Sequence, residues 1–308
     1  MGQTVLRCSA ATIDKMKQAY KPYIQDKQPT ASLFFAKPPG CTITAYRSGK
    51  VLFQGKTAEE EAAQWESNGA PTSTKKPSAG HAYAPPENIE SMSVIGSDEV
   101  GTGDYFGPIT VAAVFIAKRQ LPELKKLGLK DSKLLTDWQI YDLAEMIKPK
   151  VTYDLLTLAN PKYNELRDKG ITQGKMKAML HNQALRHVIQ KLGNQPYDAI
   201  LIDQFADPKL YFNHLSGQPD IITDRVYFQT KAESLHLSVA AASIIARQAF
   251  LDEMDRLSEE VGIQLPKGAG DQVDKIAARL IREKGMNYLR NGAKVNFSNT
   301  KKAKQLNS

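Results

Sequence analysis

Apolar and polar positions alternate with two different periods along this chain, and one stretch shows neither. Ile13, Met16, Tyr20 and Tyr23 recur at helical spacing over Thr12–Tyr23. Ser32–Ala36 and Cys41–Tyr46 are strand-like runs joined by the turn Lys37-Pro38-Pro39-Gly40. Ser48-Gly49 then predicts a hairpin turn into Val51-Leu52-Phe53, and a helix follows over Ala58–Trp65. From Asn68 to Asn88 the chain reads NGAPTSTKKPSAGHAYAPPEN, rich in Pro, Gly, Ser, Thr and Ala without apolar period, which marks a linker. The expected organisation is a small domain over 1–67, a linker over 68–88 and a larger domain over 89–308.

The larger domain alternates strand-like and helical patterns. Strands are predicted at Ser93–Ser97, Ile109–Ala117, Val151–Leu158, Ala199–Ile202 and Arg225–Gln229. Helices are predicted at Asp137–Ile147, Gln173–Leu192 and Leu237–Leu257. The short run Ala-Ile-Leu-Ile at 199–202 has the continuous apolar character of a central strand buried on both faces. Such alternation predicts an α/β domain with a mixed sheet.

Composition narrows the picture without deciding it. The 308 residues are 42% hydrophobic and 24% charged, as in soluble globular proteins. Net charge is +8, which favours a polyanionic partner. The charge is uneven. Residues 1–56 carry nine Lys or Arg but only Asp14 and Asp26 as acids, whereas Glu59, Glu60, Glu61 and Glu66 cluster at the end of the first domain. A basic sheet suits a nucleic-acid backbone, and a solvated surface is the plain alternative. Cys8 and Cys41 make neither a disulfide framework nor a metal-ligand pair, as expected of thiols in a reducing cytoplasm. No run approaches 18 apolar residues, and the N-terminus lacks signal-peptide character, so neither a membrane partner nor export is expected. The five histidines show no ligand-like spacing.

Candidate chemistry lies in the acids. Asp98 and Glu99 close a hydrophobic strand and precede Gly101-Thr102-Gly103-Asp104, where missing Cβ atoms would let a ligand backbone come close. The motif is neither a P-loop nor GxGxxG. Asp203 ends the buried run 199–202, and could alternatively cap a helix starting near Asp207-Pro208. Glu233 falls between a strand and the Ala-rich helix, where the helix dipole alone would favour it. If the four acids converge, their repulsion would raise their pKa values, and hard divalent cations would relieve it. Without a Cys/His cluster, magnesium or manganese is implied rather than zinc. Two such ions could clamp a phosphodiester for in-line attack by water.

Five ordered motifs resemble the ribonuclease HII/HIII family: DEVGTGDYFGP at 98–108, DSKLL at 131–135, ILIDQF at 200–205, KAES at 231–234 and AAASIIAR at 240–247. The resemblance covers residues 90–300. It implies a ribonuclease H-like fold and an endonuclease that cuts the RNA strand of RNA/DNA hybrids, leaving 5′-phosphate and 3′-hydroxyl ends. It implies Mg²⁺, with Mn²⁺ as a substitute, held by Asp98, Glu99, Asp203 and Glu233, Asp98 bridging both ions. Ribonuclease HII relatives carry Gly-Arg-Gly after the acids. Gly101-Thr102-Gly103 departs from that, favours type III and weighs against efficient cutting at single embedded ribonucleotides. Gly101, Thr102 and Gly103 would approach the minor groove, where 2′-hydroxyls distinguish RNA, and Ser132 and Lys133 would contact phosphate. Ser48–Lys56 with the following Glu-rich helix resembles the TATA-binding protein hairpin, so the first domain is expected to grip the hybrid. No obligate protein partner is evident and a monomer is expected. The rival readings are a non-enzymatic nucleic-acid-binding protein, ribonuclease HII proper, and a four-carboxylate exonuclease.

Overall fold

The computed structural model describes residues 2–26, 29, 32–46, 48–55, 57–66, 82–129 and 135–307. The chain divides into two compact units, Met1–Gly80 and His81–Ser308. Most of the expected linker, and with it Ser132 and Lys133 of the DSK motif, lies outside the described residues.

The first unit has strand β1 (Gly2–Arg7), helix α1 (Ala10–Ala19), strands β2 (Ser32–Ala36), β3 (Cys41–Tyr46) and β4 (Lys50–Gly55), and helix α2 (Ala58–Glu66). Its sheet is antiparallel in the order β1-β4-β3-β2. One apolar cluster joins Ile13 and Met16 of α1 and Ala62 of α2 to Phe34, Ile43, Val51 and Phe53 of the sheet. Strand alternation leaves Val5 and Leu33 exposed. The first helix is shorter than its apolar spacing predicts. It stops at Ala19, a 3₁₀ turn containing Pro22 follows, and Tyr23 is exposed because proline cannot continue the hydrogen-bond ladder.

The second unit starts with residues 82–88, expected as the end of the linker but docked here: the Phe228 N–H donates to the Tyr83 carbonyl and the Tyr83 ring packs on Phe212 and Phe228. Then come β5 (Val94–Val100), β6 (Ile109–Ile116), α3 (Leu121–Lys125), α4 (Asp137–Ile147), β7 (Thr152–Leu158), α5 (Asn160–Asp168) and α6 (Gln173–Leu192). They are followed by β8 (Ala199–Asp203), α7 (Pro208–Leu215), β9 (Val226–Gln229), α8 (Leu237–Val261), α9 (Asp271–Lys284), α10 (Met286–Gly292) and α11 (Ser298–Gln305). The sheet runs β7-β6-β5-β8-β9, with β7, β6 and β5 antiparallel to their neighbours and β5, β8 and β9 parallel. It is the expected mixed sheet with helices on both faces.

Alternate residues of the central strands feed two cores. Ala112, Val114 and Ile116 of β6 pack with α4, α8 and α9, whereas Val111, Ala113 and Phe115 pack with α6 and α7. Gly96 lets α8 lie close on β5: a Cβ there would stand 2.4 Å from Val239 N and from Ser238 Oγ. Helix α8 starts at His236, whose Nδ1 accepts the Ser238 N–H at 3.0 Å, and ends at Gly262 in the left-handed conformation.

Candidate active site

Asp98 and Glu99 lie inside β5 rather than beyond it, because the strand runs three residues past its expected end. Successive strand residues face opposite sides. Asp98 turns toward α8, where the Ser243 hydroxyl hydrogen-bonds to it, and Glu99 turns toward α6, where it meets Lys177 and His181. In the parallel register Ser97 pairs with Ile202, so the next residues, Asp98 within β5 and Asp203 at the end of β8, sit on neighbouring strands about 4.8 Å apart. Asp207, not Asp203, caps the following helix. Asp203 Oδ1 instead accepts the Ala232 N–H at 2.9 Å and so anchors the 3₁₀ turn Ala232–Ser234 that carries the buried Glu233.

The electrostatics differ on the two sides. Burial pushes the Asp98 carboxyl well above the usual carboxylate range, and the charges of Glu99 and Asp203 push it further, with only neutral donors (Ser243 and the Glu99 N–H at 2.7 Å) in opposition. Burial also works against ionisation of Glu99. Yet its hydrogen bonds to His181 Nε2 (2.9 Å) and Lys177 Nζ (2.8 Å), together with their charge, hold its pKa below the ordinary value.

The Gly-Thr-Gly turn follows immediately. Gly101 has φ +90° and its missing Cβ would stand 2.1 Å from the Pro108 carbonyl oxygen, so the backbone itself requires glycine. Nothing lies within 4 Å of a Cβ built on exposed Gly103, which leaves room for a ligand. Gln173 Nε2 donates to the Thr102 carbonyl at 2.9 Å, and the Gly268 N–H donates to Asp104 Oδ1 at 2.5 Å. The fully buried Lys294 donates to the carbonyls of Asp104 (2.8 Å), Gly107 (2.5 Å) and Pro108 (3.3 Å). Burial lowers its pKa to about 7.

The donor set suits a hard divalent cation. Carboxylate oxygens stand on two adjacent parallel strands, and that of Asp98 is pushed toward its neutral form by burial and then by the charges of Glu99 and Asp203. Among the described residues no three acids or histidines are already gathered tightly enough to hold an ion; the fold brings the acids near one another and leaves the last closure to the side chains. Sequence patterns did not point to Lys177, His181 or Lys294; Ser243 falls within the AAASIIAR motif, though without a role assigned to it. The spacing of Lys177 and His181, one turn apart on α6, was the available signal for those two; nothing in the pattern around Lys294 distinguishes it.

Comparison with known proteins places this geometry among nucleases. The Ribonuclease HII family model matches residues 95–300, and the model of a domain of unknown function (DUF3378) matches residues 3–78. Ribonuclease HIII of Bacillus velezensis is 56% identical, covering 99% of this chain and 98% of its own length. Ribonuclease HIII of Bacillus subtilis is 54% identical, with 99% and 98% covered. Among solved structures, Bst-RNase HIII in complex with Mn²⁺ is 45% identical, covers 100% of this chain and 99% of its own, and has a TM-score of 0.71. The RNase H3 of Aquifex aeolicus, at 23% identity and a TM-score of 0.55, is similar in fold.

Proposed function

The chain belongs to the ribonuclease HIII family, and from that premise we propose that it is an endonuclease hydrolysing the RNA strand of RNA/DNA hybrids, with Asp98, Glu99, Asp203 and Glu233 as its catalytic, metal-holding acids. The observation that carries this reading is the register that sets Asp98 of β5 beside Asp203 at the end of the parallel β8, with Asp203 tethering the turn of Glu233. The metal is Mg²⁺, with Mn²⁺ as a substitute; the Mn²⁺ held by the Bst relative supports use of a divalent ion. When bound, two such ions would activate the attacking water and neutralise charge at the scissile phosphate, leaving 5′-phosphate and 3′-hydroxyl ends.

The chain's own groups do the positioning. Asp98, whose carboxyl feels the charges of both Glu99 and Asp203, would be the acid shared between the ions. His181 is fully buried and fixes one Glu99 oxygen while its other ring nitrogen meets the Ser97 hydroxyl at 2.8 Å. Gln173 and Lys294 hold the backbone of the 101–108 loop, so Thr102 and Gly103 are presented on a rigid support to the minor groove. Ser132 and Lys133, just before α4, would meet the phosphates. The first unit grips the hybrid by its basic residues, which the fold spreads over α1 (Lys15, Lys17) and the sheet (Arg7, Lys50) rather than gathering on the sheet as expected.

The test is a hydrolysis assay with Mg²⁺ and Mn²⁺ on a labelled hybrid with blocked ends, duplex RNA, duplex DNA and a DNA duplex holding one ribonucleotide. Cleavage inside the hybrid's RNA strand alone is expected; cutting of duplex DNA, or none without free ends, overturns the reading. A fragment starting at Ala82, which keeps Tyr83 docked, is expected to retain kcat while KM rises about tenfold and the salt dependence of binding becomes shallower. An unchanged KM and salt slope would remove the first unit from substrate binding.

A further inference from the structure

Glu99 is held at both oxygens, but its two partners are built differently. His181 on Oε2 has no exposure, stacks on Phe205 (centroids 5.1 Å apart, 26° between planes) and is braced by Ser97. Three contacts fix the ring, so it cannot leave without breaking the core between β5 and α6. Lys177 on Oε1 is 13% exposed, reaches the site through a flexible four-carbon stem and, among the described residues, pairs with no other carboxylate. Its ammonium also lies over the Phe205 ring, 4.1 Å from the centroid. Phe205 is two residues beyond Asp203. An ammonium that lets go of Glu99 therefore keeps a cation–π partner, which offsets part of the cost of its departure.

Resting on the reading of these acids as metal ligands, we propose that Lys177 is a built-in counter-ion that occupies the cation position on Glu99 Oε1 and is displaced by the incoming divalent ion, while His181 stays and fixes the carboxylate. Two observations converge on it. Glu99 is drawn toward α6, away from Asp98 and Asp203, and the described acids are not yet gathered for an ion. Release of Lys177 frees Oε1 to complete the set. The ammonium also places a positive charge beside adjacent carboxylates, which lessens their mutual repulsion while no metal is bound.

The role makes a prediction opposite in sign to that of an ordinary orienting residue. Mn²⁺ alone is titrated calorimetrically into the full-length protein without nucleic acid. Lys177→Met should bind Mn²⁺ about tenfold more tightly than wild type, because the ion no longer competes with a resident cation or is repelled by it. Lys177→Arg, which keeps the charge, should bind no more tightly than wild type. His181→Asn, which removes the fixed orienter, should bind more weakly. Lys177→Gln gives the same readout as Lys177→Met should the latter fail to fold. Unchanged or weaker Mn²⁺ binding in the folded neutral variants overturns the proposal. Asp98→Asn separates the two layers: if it leaves wild-type Mn²⁺ binding intact, the acids are not the metal site and the counter-ion role falls with them; if it abolishes binding while Lys177→Met changes nothing, only the counter-ion role is lost.

Discussion

On the α8 side of β5 a carboxylate is buried beside two like charges with only neutral hydrogen-bond donors. On the α6 side, one residue later, a carboxylate is clamped between an ammonium and an imidazole. The α8 side is otherwise a surface of close packing. Gly96 lies against Ser238 and Val239, Gly101 against Phe250, and Gly107 against Met254. The α6 side is organised by charge. One strand thus presents two acids of opposite character: one is destabilised until a cation arrives, the other is already satisfied. A metal site assembled across such a strand gains its affinity from Asp98 and its geometry from Glu99.

Neutralising the two acids in turn tests this contrast most directly. Asp98→Asn is expected to lower kcat about 10³-fold or more while hybrid binding survives. Its metal-free melting temperature should rise by a few degrees, since removal of a repelled charge is worth about 1 kcal/mol and that moves a domain of this size by about 2–4 °C. Glu99→Gln should also lose activity, but its metal-free protein should become less stable by about 2 kcal/mol. That is less than the 3–5 of a fully buried pair, because Lys177 keeps some exposure. Millimolar Mg²⁺ should raise the melting temperature of wild type and not of Asp98→Asn. Equal melting shifts in the two variants would dissolve the contrast.

Much of this was legible beforehand, and the omissions have physical reasons. The boundaries of β2, β3, α4 and α6 follow directly from apolar period and turn residues. Strand β1 and helices α5 and α11 had too little apolar contrast to stand out, whereas α9 carries Val273, Ala277 and Leu280 at helical spacing, a pattern that was open to reading. β5 runs through Asp98 and Glu99 although charged residues argue against a buried strand, because its ladder with β6 continues opposite Ala112 and Val111. The four acids could be named from motifs. Their supporting groups could not: a lysine on a helix reads as solvated until the fold shows a carboxylate opposite it.

The packing side of the contrast predicts a smaller effect. Gly96→Ala places a Cβ against the backbone of α8 and must shift either helix or strand, costing about 3 kcal/mol. Because Ser243 and Asp98 lie along the same contact, kcat should fall as well. Gly103→Ala meets nothing within 4 Å, so stability should stay within about 0.5 kcal/mol while KM for the hybrid rises. Thermal melts combined with steady-state kinetics distinguish the two. A rise in KM for Gly96→Ala with unchanged stability would show that α8 is not pressed on β5 as described.

The smallest effect concerns pH, and it too divides by side. His236, at the start of α8, is 2% exposed; its Nδ1 accepts the Ser238 N–H, and Nε2 is left to donate to the Met92 carbonyl at 3.3 Å. Both bonds suit the neutral ring, and burial lowers its pKa to about 4. The unfolded chain takes up the proton at about 6.5 and the folded chain does not, so this contribution is intact above pH 6.5 and lost progressively as pH falls toward 4. Over that interval it amounts to at most about 3 kcal/mol. Asp98 acts in the other direction: its raised folded pKa means the folded state binds the extra proton, so acidification stabilises the metal-free protein through this group. Glu99, held low, loses stability only below the ordinary glutamate range. Metal-free melting between pH 4 and 7 should therefore steepen in Asp98→Asn, which lacks the compensating gain. It should flatten in His236→Asn, which caps α8 without titrating. If Asp98→Asn leaves the pH profile unchanged, the carboxyl on the α8 side is not perturbed as its surroundings require.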